Sequence, residues 1–181
     1  DGIYPGPQSI RTPKTFGTDE AALNGFANDV SLAELGFVVV NIDGLGTPFR
    51  SKAFHDFCYG KMEDAGGLED HIAGLRQLAA TRSWMDLDRV GIYGHSGGGF
   101  ASTHAILAFP EFYKVAVSSA GNHDQRGYLA AWGELYQGLL DGANYDKQAN
   151  AGLAKNLKGR LLLAHGDMDD NVPPSLTLQV A

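Results

Sequence analysis

The segment that decides the fold of this chain runs from position 89 to position 100 and reads Arg-Val-Gly-Ile-Tyr-Gly-His-Ser-Gly-Gly-Gly-Phe. Its first part, Arg89 to Tyr93, predicts a short strand, and Gly98 to Phe109 predicts a helix of small and apolar residues. Ser96 lies between them in the pattern G-x-S-x-G. On a sharp strand-to-helix turn, small neighbours allow the backbone to close, the hydroxyl projects, and helix amides lie behind it. The pattern therefore predicts that Ser96 is a nucleophile.

A glycine-rich turn before a helix can also bind a phosphate group. A phosphate-binding loop, however, ends in Gly-Lys followed by Ser or Thr, and a dinucleotide site needs G-x-G-x-x-G after the first strand of its unit. Neither pattern occurs in this chain. A nucleophile at Ser96 is therefore the favoured interpretation of the turn.

Strand-like and helix-like patterns alternate on both sides of this turn. Further strands are predicted at 1–4, 37–42, 115–118 and 160–164, and further helices at 21–35, 63–83, 128–140 and from about 173. The continuous apolar run at 37–42 is typical of a strand buried on both faces. The alternation predicts one α/β domain over residues 1–181, with a mostly parallel sheet and helices on both faces.

Composition and charge exclude several classes of partner. The 181 residues carry a net charge of −7. A negatively charged surface repels the phosphates of nucleic acids, so a nucleic-acid partner is not expected. The apolar stretches are too short to span a bilayer. Cys58 is the only cysteine, so an intrachain disulfide is excluded. His165, Asp167 and Asp169 alternate after a strand but lack the spacing of a metal site, and neither a metal nor a cofactor is predicted.

An acidic residue to accompany Ser96 is predicted after the last strand. The apolar run Leu161 to Ala164 is followed by three carboxylates, at Asp167, Asp169 and Asp170. In the chain order serine, acid, histidine, one of them would orient a histidine and stabilise its imidazolium form. From this segment alone, a solvated acidic turn is an equally good interpretation.

Several short motifs together resemble the catalytic domain of the prolyl oligopeptidase and dipeptidyl peptidase IV family. They are the serine turn at 94–99, H-G-D-M-D-D-N-V at 165–172, Y-P-G-P at 4–7, N-I-D-G at 41–44, L-E-D at 68–70 and E-L-Y-Q-G at 134–138. The resemblance covers nearly the whole chain. It implies the α/β-hydrolase fold and a serine peptidase that acts on peptides, with cleavage after proline as one option.

The resemblance also assigns roles to individual residues. It makes Asp169 the triad acid and gives Tyr4, with the Gly97 amide, to the oxyanion hole. It places Tyr128 and Trp132 as aromatic walls of the pocket, which suit a flat proline ring. Core packing is an equally weighted alternative for these two residues. The pocket positions implied are Tyr128, Trp132, Asn122, Asn171 and Val172.

Three positions depart from the family pattern. Gly97 stands where the dipeptidyl peptidases have tyrosine, Leu45 where many relatives have arginine, and Asn122 where the pocket residue is apolar. These departures weaken an expectation of strict proline specificity.

No histidine follows Asp169 in the sequence. A serine hydroxyl is a weak nucleophile without an adjacent base, so the base is expected outside these residues, and the chain is expected to be a domain truncated at both ends. Within the chain, the one weak candidate for this base is His123, which follows a predicted strand in the pocket region. The β-propeller of the family is likewise expected elsewhere in the full-length protein.

Two other functions stay open at this point. An esterase or other acyl hydrolase would use the same fold and nucleophile. A non-catalytic hydrolase-like module, or an inert fragment, would have the fold without the reaction. The resemblance is compatible with a homodimer of the full-length protein and with either the bacterial periplasm or the cytoplasm.

Overall fold

The computed structural model describes residues 1–4, 8–12, 26–64, 66–142 and 144–181. Its elements in chain order are α1 (Phe26–Glu34), α2 (Lys52–His55), α3 (Leu68–Ala80), β1 (Val90–His95), α4 (Gly97–Ala108), β2 (Tyr113–Ser119), α5 (Ala130–Gln137), α6 (Asn150–Leu153), β3 (Arg160–Ala164) and α7 (Pro174–Leu178). Among these residues, no helix combines the length and apolar character that crossing a bilayer requires.

The three strands form a parallel sheet in the order β1-β2-β3. In the register of the sheet, His95 lies beside Ser119, and Ser119 lies beside Ala164. The carboxyl ends of all three strands are therefore level. Gly2 extends the sheet beyond β1, because it forms isolated parallel bridges with both Tyr93 and Asn41.

One face of the sheet carries the hydrophobic core. Helix α4 packs on β1 and β2, and its residues from 97 to 107 are all buried. Helix α3 adds Leu68, Ile72 and Leu75 to the same core cluster. The helical spacing of these apolar residues creates the buried stripe that the sequence predicts.

Helix α1 contributes to the opposite face. Its buried Asp29 accepts hydrogen bonds from the Tyr93 hydroxyl on β1 and from the Asn41 side chain. The rest of that face is open, since Val115, Val117 and Leu162 are exposed. The predicted parallel sheet with helices on both faces is therefore confirmed, although in the described part of the chain the second face is covered only beside β1.

The segment at 37–42 is not the doubly buried strand that its apolar run predicts. Gly36 ends α1 with a φ of 93°, and the Phe37 amide donates to the carbonyl of Leu32. Beyond this turn, the described backbone pairs only around Asn41, through the Gly2 amide and the Val40 carbonyl. Phe37 is 62% exposed and Val38 is 46% exposed. A run of apolar residues indicates that burial would be favourable. Whether the run is buried depends on whether another part of the protein packs against it.

Candidate active site

Ser96 lies at the crest between β1 and α4. Its φ of 58° and ψ of −120° are a backbone conformation that a residue with a side chain rarely adopts. Such a conformation costs about 1–3 kcal/mol and persists only when its surroundings enforce it. Here the Ser96 amide donates to the carbonyl of Ser119 at 2.8 Å, and its carbonyl accepts from Phe100 at 3.0 Å. The turn is thus the strained serine elbow that the sequence motif predicts.

The glycines around Ser96 are required by close backbone contacts. A Cβ on Gly94 would lie 2.6 Å from the Ile3 carbonyl oxygen, and a Cβ on Gly98 would overlap the same oxygen. A Cβ on Gly99 would lie 3.0 Å from the Cα of Gly121. The extended segment containing Ile3 therefore packs directly on the turn, which explains the small residues of the motif.

The predicted oxyanion donors flank this turn. Gly97 is the first residue of α4, so its amide belongs to the helix N-terminus, where backbone N–H groups favour negative charge. Tyr4 follows Ile3 in the segment that packs on the turn, and its Cα lies 3.6 Å from the position of a Cβ on Gly98. The structure therefore places the Tyr4 backbone beside the turn, one residue from Gly97.

Asp169 lies in the loop after β3, on the same edge of the sheet. Its Oδ1 accepts hydrogen bonds from the amides of Val172 at 2.9 Å and Asn171 at 3.0 Å. These two amides hold the pKa of the Asp169 carboxyl below its usual value, and His165 and His95 lower it further. The carboxylate is therefore kept ionised, as a group that stabilises an imidazolium must be.

The remaining predicted groups meet around Tyr128. Its hydroxyl donates to the side-chain carbonyl oxygen of Asn171 at 2.9 Å. Burial raises the pKa of Tyr128, its hydrogen bond to Asn171 lowers it, and the proximity of Tyr4 and Asp169 raises it. One neighbourhood therefore contains Tyr4, Tyr128, Asn171 and Asp169.

Three aromatic side chains form a wall along α5 and the residues before it. The rings of Tyr128 and Trp132 are 6.1 Å apart, and those of Trp132 and Tyr136 are 4.8 Å apart, both edge to face. Burial raises the pKa of Tyr136, and Tyr4 raises it further. Tyr136 is thus a site neighbour that the sequence analysis missed, although its spacing of four residues from Trp132 is a signal for it.

Two predicted pocket residues are buried. Asn122 is 2% exposed and donates to the side-chain carbonyl oxygen of Gln125 at 2.8 Å, while its own Oδ1 has no partner among the described residues. Val172 is 1% exposed. Neither presents its side chain at the surface, and direct substrate contact by these two stays a prediction.

His123 belongs to a buried polar chain behind the elbow. Asn150 joins it to helix α4, because the Asn150 side chain contacts His123 Nδ1 at 3.0 Å and His104 Nδ1 at 2.8 Å. Burial lowers the pKa of His123 to about 4, and His165 contributes to the shift. In the described part of the chain, no histidine hydrogen-bonds to the Ser96 hydroxyl, so His123 does not take the place of a triad histidine here.

Comparison with known proteins finds similar sequences and similar folds. Human dipeptidyl peptidase 8 is 35% identical over 176 residues, which cover 94% of this chain and 19% of the relative. The crystal structure of Porphyromonas gingivalis dipeptidyl peptidase 4 superposes with a TM-score of 0.83 and 26% identity, covering 99% of this chain and 24% of that one. A solved structure from Bacteroides ovatus gives a TM-score of 0.86 and 28% identity, covering 99% and 25% respectively.

The chain therefore spans about a fifth to a quarter of the length of these relatives. The α/β-hydrolase domain predicted from the motifs is confirmed by the two structural neighbours. Residues 24–181 match the family model described as the prolyl oligopeptidase family. The match covers most of the chain, and the chain belongs to the prolyl oligopeptidase family.

Proposed function

We propose that this chain supplies the nucleophile and the acid of a serine peptidase. Ser96 attacks the scissile carbonyl, and the Tyr4 hydroxyl and the Gly97 amide stabilise the resulting oxyanion. Asp169 orients a histidine that acts as the base and that these 181 residues do not place at Ser96. The single observation that carries the proposal is the strained Ser96 turn, level with the loop that holds Asp169 ionised.

The proposed reaction has two steps. The histidine takes the Ser96 proton as the Oγ–C bond forms, and it then protonates the leaving amine as the peptide C–N bond breaks. Water next attacks the acyl-enzyme, giving its proton to the same histidine, and Ser96 leaves with that proton. The negative charge of Asp169 stabilises the imidazolium present in both steps.

The aromatic wall supports a peptide substrate. Tyr128, Trp132 and Tyr136 offer a rigid, largely apolar surface beside the ionised loop. Such a surface suits a flat ring at the residue before the scissile bond. The named relatives, dipeptidyl peptidases 8 and 4, support the same substrate class, and we infer a peptidase that accepts proline at that position.

A fluorophosphonate probe tests the nucleophile in the full-length protein. We expect covalent labelling that disappears in Ser96→Ala and persists in Ser83→Ala, a matched change at an exposed serine after α3. Labelling that persists in Ser96→Ala would exclude Ser96, and a well-folded protein that never labels would favour a non-catalytic module.

Substrate class requires a separate comparison. Rates on chromogenic peptides with proline before the scissile bond are expected to exceed those on peptides with alanine there. A protein that hydrolyses simple acyl esters but neither peptide would be an esterase built on the same elbow.

A further inference from the structure

His165 lies between the end of β3 and the loop that carries Asp169. Its side chain is 6% exposed. Its Nε2 lies 2.9 Å from the carbonyl oxygen of Val172 and 3.4 Å from Asp169 Oδ2, and its Nδ1 lies 2.7 Å from the Thr177 hydroxyl on α7. The imidazole therefore links Asp169 and Val172, both in the loop after β3, to helix α7.

These contacts determine the tautomer of His165. Both groups that face Nε2 are acceptors, so Nε2 carries a proton. The Thr177 hydroxyl, which can donate or accept, hydrogen-bonds to Nδ1. The Thr177 side chain is buried within residues 174–178 of α7, which fixes its position. The two acceptors in the loop thereby fix Nε2 as the donor, and Thr177 on α7 holds the opposite edge of the ring.

The two oxygens of Asp169 are held differently. Oδ1 accepts from two backbone amides, of Asn171 and Val172. Among the residues that the structure describes, Oδ2 has the long contact with His165 and no other, so it retains a lone pair for another donor. The two oxygens of a carboxylate are equivalent, so a half-turn about the Cβ–Cγ bond restores the same contacts. A smaller rotation would turn the free lone pair of Oδ2 away from its direction, and the donor at His165 Nε2 opposes that smaller rotation.

We propose that His165 is a positioning residue for Asp169, which directs Oδ2 of the carboxylate toward the triad histidine. The inference rests on the proposed function, since it needs a triad for Asp169 to serve. His165 acts through Asp169 and touches no reacting atom. The titratable groups around this loop include His95, His123 and Tyr128, and Asp167 and Asp170 lie on the loop itself.

A pair of amide substitutions in the full-length protein tests the role. In His165→Gln, an amide nitrogen can occupy the place of Nε2 and donate to Val172, whereas the shorter side chain of His165→Asn reaches only the place of Nδ1. We expect kcat to fall a few-fold in the Gln variant and about 10- to 100-fold in the Asn variant, the cost typical of a misplaced catalytic group. KM is expected to stay near its original value in both.

The pH profile separates positioning from loss of structure. When Asp169 is misdirected, the triad imidazolium loses stabilisation, so the acidic limb of kcat/KM is expected to move to lower pH in the Asn variant but not in the Gln variant. Equal kcat values and superimposable limbs in two folded variants would overturn the inference. Failure of the original protein to label with a fluorophosphonate would instead remove the proposed function, so the two failures are distinguishable.

Discussion

Glycine at position 98 leaves room for the Ile3 carbonyl oxygen, which a Cβ at that position would overlap. We expect Gly98→Ala to lower the free energy of unfolding by about 1–3 kcal/mol, the usual cost of overpacking. The same change should reduce fluorophosphonate labelling, because the backbone must shift beside Ser96. Urea denaturation and the labelling rate measure the two effects.

A matched control is available at Gly152 in α6, where a Cβ would have no atom within 4 Å. Gly152→Ala is expected to leave labelling unchanged and to alter stability by at most about 1 kcal/mol, in the stabilising direction. Equal losses of stability in the two variants would show that backbone contact at Gly98 is not what requires glycine.

At the scale of elements, the Asp29 carboxylate joins α1 to the sheet. Asp29 accepts from the Tyr93 hydroxyl and the Asn41 side chain, and it lies 3.6 Å from the Arg11 guanidinium. Asp29→Ala leaves the part-buried Tyr93 hydroxyl and Asn41 side chain without this acceptor, so we expect a loss of about 3 kcal/mol in the free energy of unfolding. Glu34→Ala, at an exposed site on the same helix, should change it by less than about 0.5 kcal/mol. Equal effects in chemical denaturation would contradict this role for Asp29.

At the scale of the whole molecule, stability depends on keeping His123 neutral. Its pKa is about 4 in the folded state, because burial lowers it from an ordinary value near 6.5. Between these two pH values, His123 binds more protons in the unfolded chain than in the folded one. Its contribution to the free energy of unfolding is therefore fully present above pH 6.5 and is lost as the pH falls toward 4. From pH 7 to pH 5 this residue alone is expected to remove about 2 kcal/mol.

His123→Asn isolates that contribution, because the Asn side-chain oxygen can replace Nδ1 as the acceptor of the Asn150 amide. Thermal unfolding at several pH values is expected to show a shallower acid loss in the variant than in the original protein. Parallel stability curves would mean that His123 titrates no differently in the folded and unfolded chain.

Local sequence predicted the central parallel strands and the elbow well, because each depends on short-range pattern and on steric limits at glycine. Burial at 37–42 depends on a covering surface that no local pattern encodes, and Phe37 is exposed as a result. The depth of Asn122 depends on its pairing with Gln125, a hydrogen bond between polar side chains that hydrophobic periodicity does not reveal. The contacts of His165 likewise join a strand end to a later helix and appear only in three dimensions.

The carboxyl ends of β1, β2 and β3 lie level, and the sheet also fixes the spacing between these ends. Ser96 directly follows β1 and the loop with Asp169 follows β3, and these two strands are two strand spacings, about 10 Å, apart. A direct bond between two short side chains does not cover such a spacing. In the proposed reaction, a flat ring with one nitrogen on each side suits it, so the strand spacing sets the size of the base that the proposed site would accept.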